Sequence, residues 1–286
     1  MKTRLPLETL CRLFTAAVIA IFIGAILFAV WGELEDDVDD IIALITVATT
    51  AAIASRHILW FPRKSARQPR IFMLHSISDA IANPSAPNNS IRPAELEQLI
   101  VDLHQAGYTF TTLTDAITHP RRRLAVLTVD DGYADNATLL LPILQRHNTP
   151  ATIFVSNKRG GQYLTDEQLR AMVQTGLIEI GGHTATHPTL DTCTPEELRQ
   201  ELTANRDTLA QLLGTPPTAF AYPYGRYTTA VRDAVEAAGY TCAVTTAKRA
   251  PKDAAADPYQ LPRQILPRGQ TRMDLYLIAT RGRTRW

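Results

Sequence analysis

An apolar run that ends on two carboxylates and a glycine constrains this chain more than any other stretch of it. In LAVLTVDDGYADN, residues 124–136, five of the first six side chains are apolar. That is the pattern of a strand buried on both faces, which occurs in parallel sheets covered by helices. The run then delivers Asp130, Asp131 and Gly132. The C-terminal ends of such strands are where α/β folds hold their chemistry. Asp-Gly is also ordinary turn chemistry, so the weight of the reading depends on what else reaches the same end of the sheet.

Strand and helix patterns alternate on both sides of this run. Apolar strands are expected at 71–75 (ending at His75), 150–155, 177–182 and 240–245, with an apolar strand end at 220–224. Helices are expected at 90–107, 139–146, 165–176, 194–214 and 229–239. Thr165 with Gln168 and Thr194 with Glu197 have the spacing of capping boxes, and Gly107, Gly176, Gly214 and Gly239 mark stops. Seven or so alternations make an α/β domain with a mostly parallel sheet, which we expect to curl into a barrel.

A second informative stretch, GGHTATHP at 181–188, follows one of these strands. His183 and His187 are four residues apart, so a turn between them lets two imidazoles converge on one ion. With a carboxylate from the neighbouring strand end they form a two-histidine, one-carboxylate set, which leaves a metal open to water, as in catalytic zinc sites. A metal so placed lowers the pKa of bound water and polarises a carbonyl. One carboxylate of the pair is the third ligand and the other stays free as general base. Three cysteines, Cys11, Cys193 and Cys242, form no C-x-x-C pair, which excludes a thiolate metal site or a disulfide framework. A net charge of +1 argues against nucleic-acid binding. The basic clusters at 63–70, 121–123 and 281–285 are read as solvated or membrane-proximal faces.

The N-terminal 61 residues differ in kind. Residues 13–31 are 19 residues without a charge, long enough to span a bilayer. Residues 41–61 are a possible second span, interrupted by Arg56 and His57. Their uninterrupted part reaches about 21 Å as a helix. We expect a membrane anchor over 1–61, a basic linker over 62–70 and the soluble domain over 71–286. One span would put that domain outside the plasma membrane, whereas a hairpin would leave it in the cytoplasm.

TVDDG at 128–132, HTATHP at 183–188 and YPYG at 222–225 together resemble the first three motifs of the polysaccharide deacetylase family, the NodB homology group. The resemblance covers most of residues 71–268. It implies a distorted (β/α) barrel, a divalent metal (zinc first; cobalt, nickel or iron as alternatives) and hydrolysis of N-acetyl groups on an N-acetylhexosamine polysaccharide. It further implies that Asp130 is the base toward water on the metal, that Asp131, His183 and His187 hold the metal, and that the Tyr224 backbone N–H helps stabilise the oxyanion. The family's fourth and fifth motifs are absent, and Phe220 leads the third. FAYPYG, DDGYADN, the strand ending at His75 and the late LPR resemble the subgroup acting on poly-N-acetylglucosamine, a biofilm polymer. To fill the missing roles we assign His75 as the acid for the leaving amine and Arg263 as the partner of Asp130. Tyr133, Tyr222 and Tyr224 are candidates for contact with sugar rings, with core packing the alternative for at least one. Peptidoglycan or chitooligosaccharides are the rival substrates. A small or lipid-linked cytoplasmic sugar and a non-catalytic glycan-binding membrane protein are the remaining rival readings.

Overall fold

The computed structural model describes residues 65–79, 90–247 and 257–282, with helical stretches inside 13–24 and 42–50. Residues Ser65–Gln270 form one compact unit. The helix Arg272–Arg281 belongs to a second unit made of the terminal segments. The expected spans at 13–31 and 41–61 fall largely outside the described residues. Among the described residues, no helix is long and apolar enough to cross a membrane.

The unit runs β1 (Arg70–Leu74), β2 (Ser76–Ile77), β3 (Ser90–Ile91), α1 (Pro93–Gln105), β4 (Thr109–Phe110), α2 (Leu113–Thr118), β5 (Leu124–Val129) and α3 (Leu141–Arg146). It continues with β6 (Ala151–Val155), α4 (Asp166–Gln174), β7 (Ile178–Gly182), α5 (Pro195–Leu213), β8 (Ala219–Ala221), α6 (Thr229–Ala237), β9 (Cys242–Val244) and β10 (Gln264–Ile265). The main sheet has the order β10-β1-β5-β6-β7-β8-β9, with β4 also on β5, and β5 lies near its middle. Its strand pairs are parallel. Leu261 bridges to Val244 of β9, and Gln264 pairs with Phe72 of β1. A few residues thus carry the chain from one edge of the curled sheet to the other, and Arg263 sits at that seam.

Strand alternation sorts side chains between two cores. Ile71, Val126, Phe154, Ala219, Ala221, Cys242 and Val244 pack with Leu113 and Ala116 of α2 inside the curl. Leu198 and Leu202 of α5, with Val231 and Val235 of α6, pack on Phe220, Tyr222 and Tyr240 outside it. Each buried Val, Leu, Ile or Phe among them stabilises the unit by about 1.5–3 kcal/mol.

Both expected capping boxes form, and Gly214 closes α5 at φ 81°. The helix expected from 90 starts at Pro93 instead. Ser90 and Ile91 pair with β2, and Arg92, extended as a residue before proline must be, becomes the cap. The helix expected over 139–146 begins as a wider turn at Asn136–Leu140. The strand expected to 224 stops at Ala221, because the chain turns through Tyr224 at φ 59°.

Candidate active site

The site lies at the C-terminal ends of β1, β5 and β7. Leaving β5, Asp131 adopts φ 72° and Gly132 φ 67°, a reversal that aspartate tolerates and glycine favours. A Cβ on Gly132 would stand 2.6 Å from Val155 Cγ1, so the turn also packs too closely for a side chain. The two carboxylates consequently diverge. Asp130 is 3% exposed and turns into the barrel, whereas Asp131 is half-buried and meets the two histidines.

His183 Nε2 and His187 Nε2 are 3.1 Å apart, and Asp131 Oδ1 lies 3.5 and 3.4 Å from them. His183 Nδ1 contacts the Ala221 carbonyl at 2.7 Å. A carbonyl can only accept, so that nitrogen holds the proton and Nε2 offers a lone pair. Asp131 Oδ1 and His183 Nε2 are acceptors, and His187 Nε2 joins them when its ring proton sits on Nδ1; three lone pairs so gathered favour a cation between them. Ligand atoms of a tetrahedral zinc at 2.0–2.1 Å would stand about 3.4 Å apart. The donor set and its spacing fit a divalent metal.

The electrostatics agree. Burial opposes charge on Asp131, but His183, His75 and His187 hold its carboxyl well below the usual range. Burial likewise opposes charge on His183, yet Asp131 and Asp130 beside it raise its pKa. Burial and the neighbouring His183 depress His187 to about 4.

Arg263 reaches Asp130 from the seam. Its Nη1 donates to Asp130 Oδ1 at 2.6 Å and its Nη2 to Oδ2 at 2.7 Å. Nε donates to the Thr245 carbonyl, and Nη1 also to Thr128 Oγ1. Such a two-pronged pair is among the strongest charge-assisted contacts. Burial pushes the Asp130 carboxyl up, and Arg263 more than offsets this, holding it below the ordinary carboxylate range. His75 stands with Nε2 3.9 Å from Asp130 Oδ2, and burial lowers its pKa. Asn136 Nδ2 donates to the His75 carbonyl at 3.0 Å.

The three tyrosines separate. Tyr222 is 1% exposed and packs against Phe220 and Tyr227, which removes it from any contact with a sugar. Its place on the sheet's outer core is the reason. Tyr224 is 61% exposed and lies edge-on to His187 at 4.8 Å. Tyr133 stacks on Tyr163 at 5.6 Å with its hydroxyl toward Asp131. Thr128, which receives Arg263, and Asn205, which receives the His183 N–H, were not anticipated. The Gly181-Gly182 pair was the available signal for the second.

The family model for polysaccharide deacetylase matches residues 118–243. A curated Bacillus subtilis protein, named "Putative polysaccharide deacetylase YxkH", is 32% identical over 197 residues, covering 65% of this chain and 67% of its own. A Bradyrhizobium chitooligosaccharide deacetylase is 38% identical over 110 residues, 37% of this chain and 48% of that protein. Among solved structures, the Streptococcus pyogenes deacetylase PplD in complex with acetate superposes with a TM-score of 0.66 at 24% identity. That likeness covers 77% of this chain and 99% of that one, and it is a likeness of fold. The chain belongs to the polysaccharide deacetylase family, and its parallel half-barrel is the hydrolase fold on which that family deacetylates N-acetylated sugars.

Proposed function

We propose that the chain hydrolyses the acetamide of N-acetylhexosamine residues in a polysaccharide, releasing acetate and leaving a free amine. The observation that carries this is the convergence of three ligand atoms within 3.5 Å beside a carboxylate clamped by a buried arginine. Asp131, His183 and His187 would hold a divalent metal, with zinc first and cobalt, nickel or iron also suited to the donor set. When bound, the metal supplies a Lewis acid for the carbonyl oxygen and lowers the pKa of water.

The protein's own groups do the rest. Asp130, kept ionised by Arg263, takes a proton from the attacking water. The proton that Asp130 takes passes to His75, 3.9 Å away, which gives it to the departing nitrogen, so that Asp130 ends ionised and His75 neutral. Tyr224 and Tyr133 flank the ligands, where their rings can meet a sugar.

Poly-N-acetylglucosamine is the substrate we favour on the FAYPYG and LPR sequences, with chitooligosaccharides and peptidoglycan as the alternatives. The uncharged run at 13–31 supports a membrane anchor with the catalytic unit facing the cell envelope. A reporter fused after Trp286 that is active only in the cytoplasm would reverse that placement.

The test is acetate release by the full chain from the three glycans, with and without added zinc, beside Asp130→Asn. Zinc-dependent release abolished in Asp130→Asn is expected, and the preferred glycan names the substrate. Tight metal binding without release from any of them would favour a glycan-binding role.

A further inference from the structure

The segment between the two histidines is held in an unusual conformation from behind. Thr184 adopts φ 63° and His187 φ 67°, two left-handed residues without the freedom of glycine. Such conformations cost of order 1–3 kcal/mol each and persist only where the surroundings over-determine them. The Asn157 N–H donates to the Ala185 carbonyl at 3.0 Å and the His187 N–H to Thr184 Oγ1 at 3.0 Å, and further restraints come from one face of α5. Glu201 accepts through Oε2 from the Thr186 backbone N–H at 2.8 Å and through Oε1 from the Thr186 hydroxyl at 2.7 Å. Its own carbonyl accepts from the Ala185 N–H at 3.1 Å.

One turn further along, fully buried Asn205 accepts through Oδ1 from the His183 N–H at 3.0 Å. The same side chain donates through Nδ2 to the Val155 carbonyl at 3.1 Å, tying the end of β6 to the end of β7. Gly182 makes the approach possible, since a Cβ there would stand 2.9 Å from Asn205 Oδ1 and 2.3 Å from the Tyr240 hydroxyl.

We propose that Glu201, backed by Asn205, is a positioning residue that fixes the His183–His187 segment so that both Nε2 atoms face one metal. The inference rests on the metal reading above. A brace against the backbone between two ligands is distinct from an ordinary helix-surface carboxylate. It occupies both donors of Thr186, the residue immediately before His187. Outer partners of this kind typically govern metal affinity by about 10- to 100-fold.

The experiment is cobalt titration of the full chain, following the visible absorption of bound Co2+. The variants are Glu201→Ala, Glu201→Gln and Thr186→Val, each with a melting curve of the metal-free protein. Glu201→Ala is expected to weaken Co2+ binding about 10- to 100-fold and to alter the absorption envelope, with little change in the metal-free melt. Glu201→Gln, which still accepts from the Thr186 N–H and can donate to its hydroxyl, is expected to restore most of the affinity. Adding Thr186→Val to Glu201→Ala is expected to cost little more. Unchanged affinity and spectrum in Glu201→Ala overturn the proposal, as does a loss that Glu201→Gln shares, because that would be an effect of charge. If the parent chain binds no Co2+, the metal reading falls and this inference with it. If the parent binds and Glu201→Ala binds equally, this inference alone falls.

Discussion

Two carboxylates project into the barrel from neighbouring parts of the sheet, and they are satisfied in opposite ways. Asp130, just past β5, faces a guanidinium that donates to both of its oxygens. Glu179, two residues before Gly181 on β7, is served by neutral donors. Thr152 Oγ1 donates to it at 2.7 Å, and the Thr114 backbone N–H and hydroxyl donate from the start of α2. A carboxylate held by hydroxyls ties three elements together. One held by a buried cation is kept charged at a place where losing its charge would be costly. A place on the inner face of the sheet therefore does not by itself mark a working carboxylate, whereas the kind of donor does.

The sharpest way to break the comparison is to neutralise each carboxylate in turn. Asp130→Asn is expected to lower kcat by about 10²- to 10⁴-fold, the usual share of a general base. Metal content should stay intact, because Asp131, His183 and His187 are untouched. Acetate release and metal analysis on the same sample decide this, and loss of metal in Asp130→Asn would mean that Asp130 is itself a ligand.

Next in size is Arg263→Met. Removing one partner of a buried pair costs about 3–5 kcal/mol. The pH dependence carries the diagnostic sign. With Arg263 present, the folded-state pKa of Asp130 is depressed. The pair's stabilisation is therefore full above the ordinary carboxylate pKa and is lost as pH falls through the depressed one. Without Arg263, burial is opposed only by His75 and His183, and the acid limb of the activity profile should move to higher pH. An unmoved limb, read from rate against pH, would detach Asp130 from that titration.

The histidine pair offers a smaller, signed effect. His187 is depressed to about 4, below the ordinary value of about 6.5. Between those values the unfolded chain binds the extra proton, so this residue's contribution is lost as pH falls from about 6.5 to about 4. His183 is raised and acts oppositely, stabilising below the ordinary imidazole pKa and fading as pH rises through its own. Melting curves of chelator-treated protein at pH 7 and pH 4.5 separate the two. In His187→Gln the acid-side loss should shrink relative to the parent. Adding zinc at 100 times its Kd should raise stability by about 2.7 kcal/mol in the parent and by less in the variant.

What was legible in the sequence follows the same division between pattern and donor. β5 was read with its full extent because six residues buried on both faces leave no competing period. The two capping boxes were read because their chemistry is local. Short pieces such as β4, α2 and β10 carry too few residues to show a period, and their identity comes from pairing. In the site, Asp130, Asp131, His183 and His187 stood at two strand ends as contiguous motifs, and Arg263 was proposed from a missing motif. Asn205 left a weaker trace. Asparagine is a poor helix-interior residue, yet here it is fully buried inside a 19-residue helix. Tyr222 and Tyr224 are two residues apart, and the sequence did not distinguish them. Only the left-handed turn at Tyr224 sends one into the core and the other to the rim.

The smallest effect is the control that the opening comparison requires. Glu179→Gln keeps an oxygen acceptor for Thr152 and the Thr114 N–H, and its amide can donate to the Thr114 hydroxyl. The Thr114 Oγ1 atom also lies 3.0 Å from Thr218 Oγ1, so that hydroxyl has a second partner. The substitution should therefore cost about 1 kcal/mol, the worth of one rearranged hydrogen bond, and should leave kcat and metal affinity close to the parent's. Denaturant midpoints and acetate release, measured beside Asp130→Asn, test this. A loss of turnover comparable to that of Asp130→Asn, at unchanged stability, would show that the two carboxylates share a task and that donor type does not separate them.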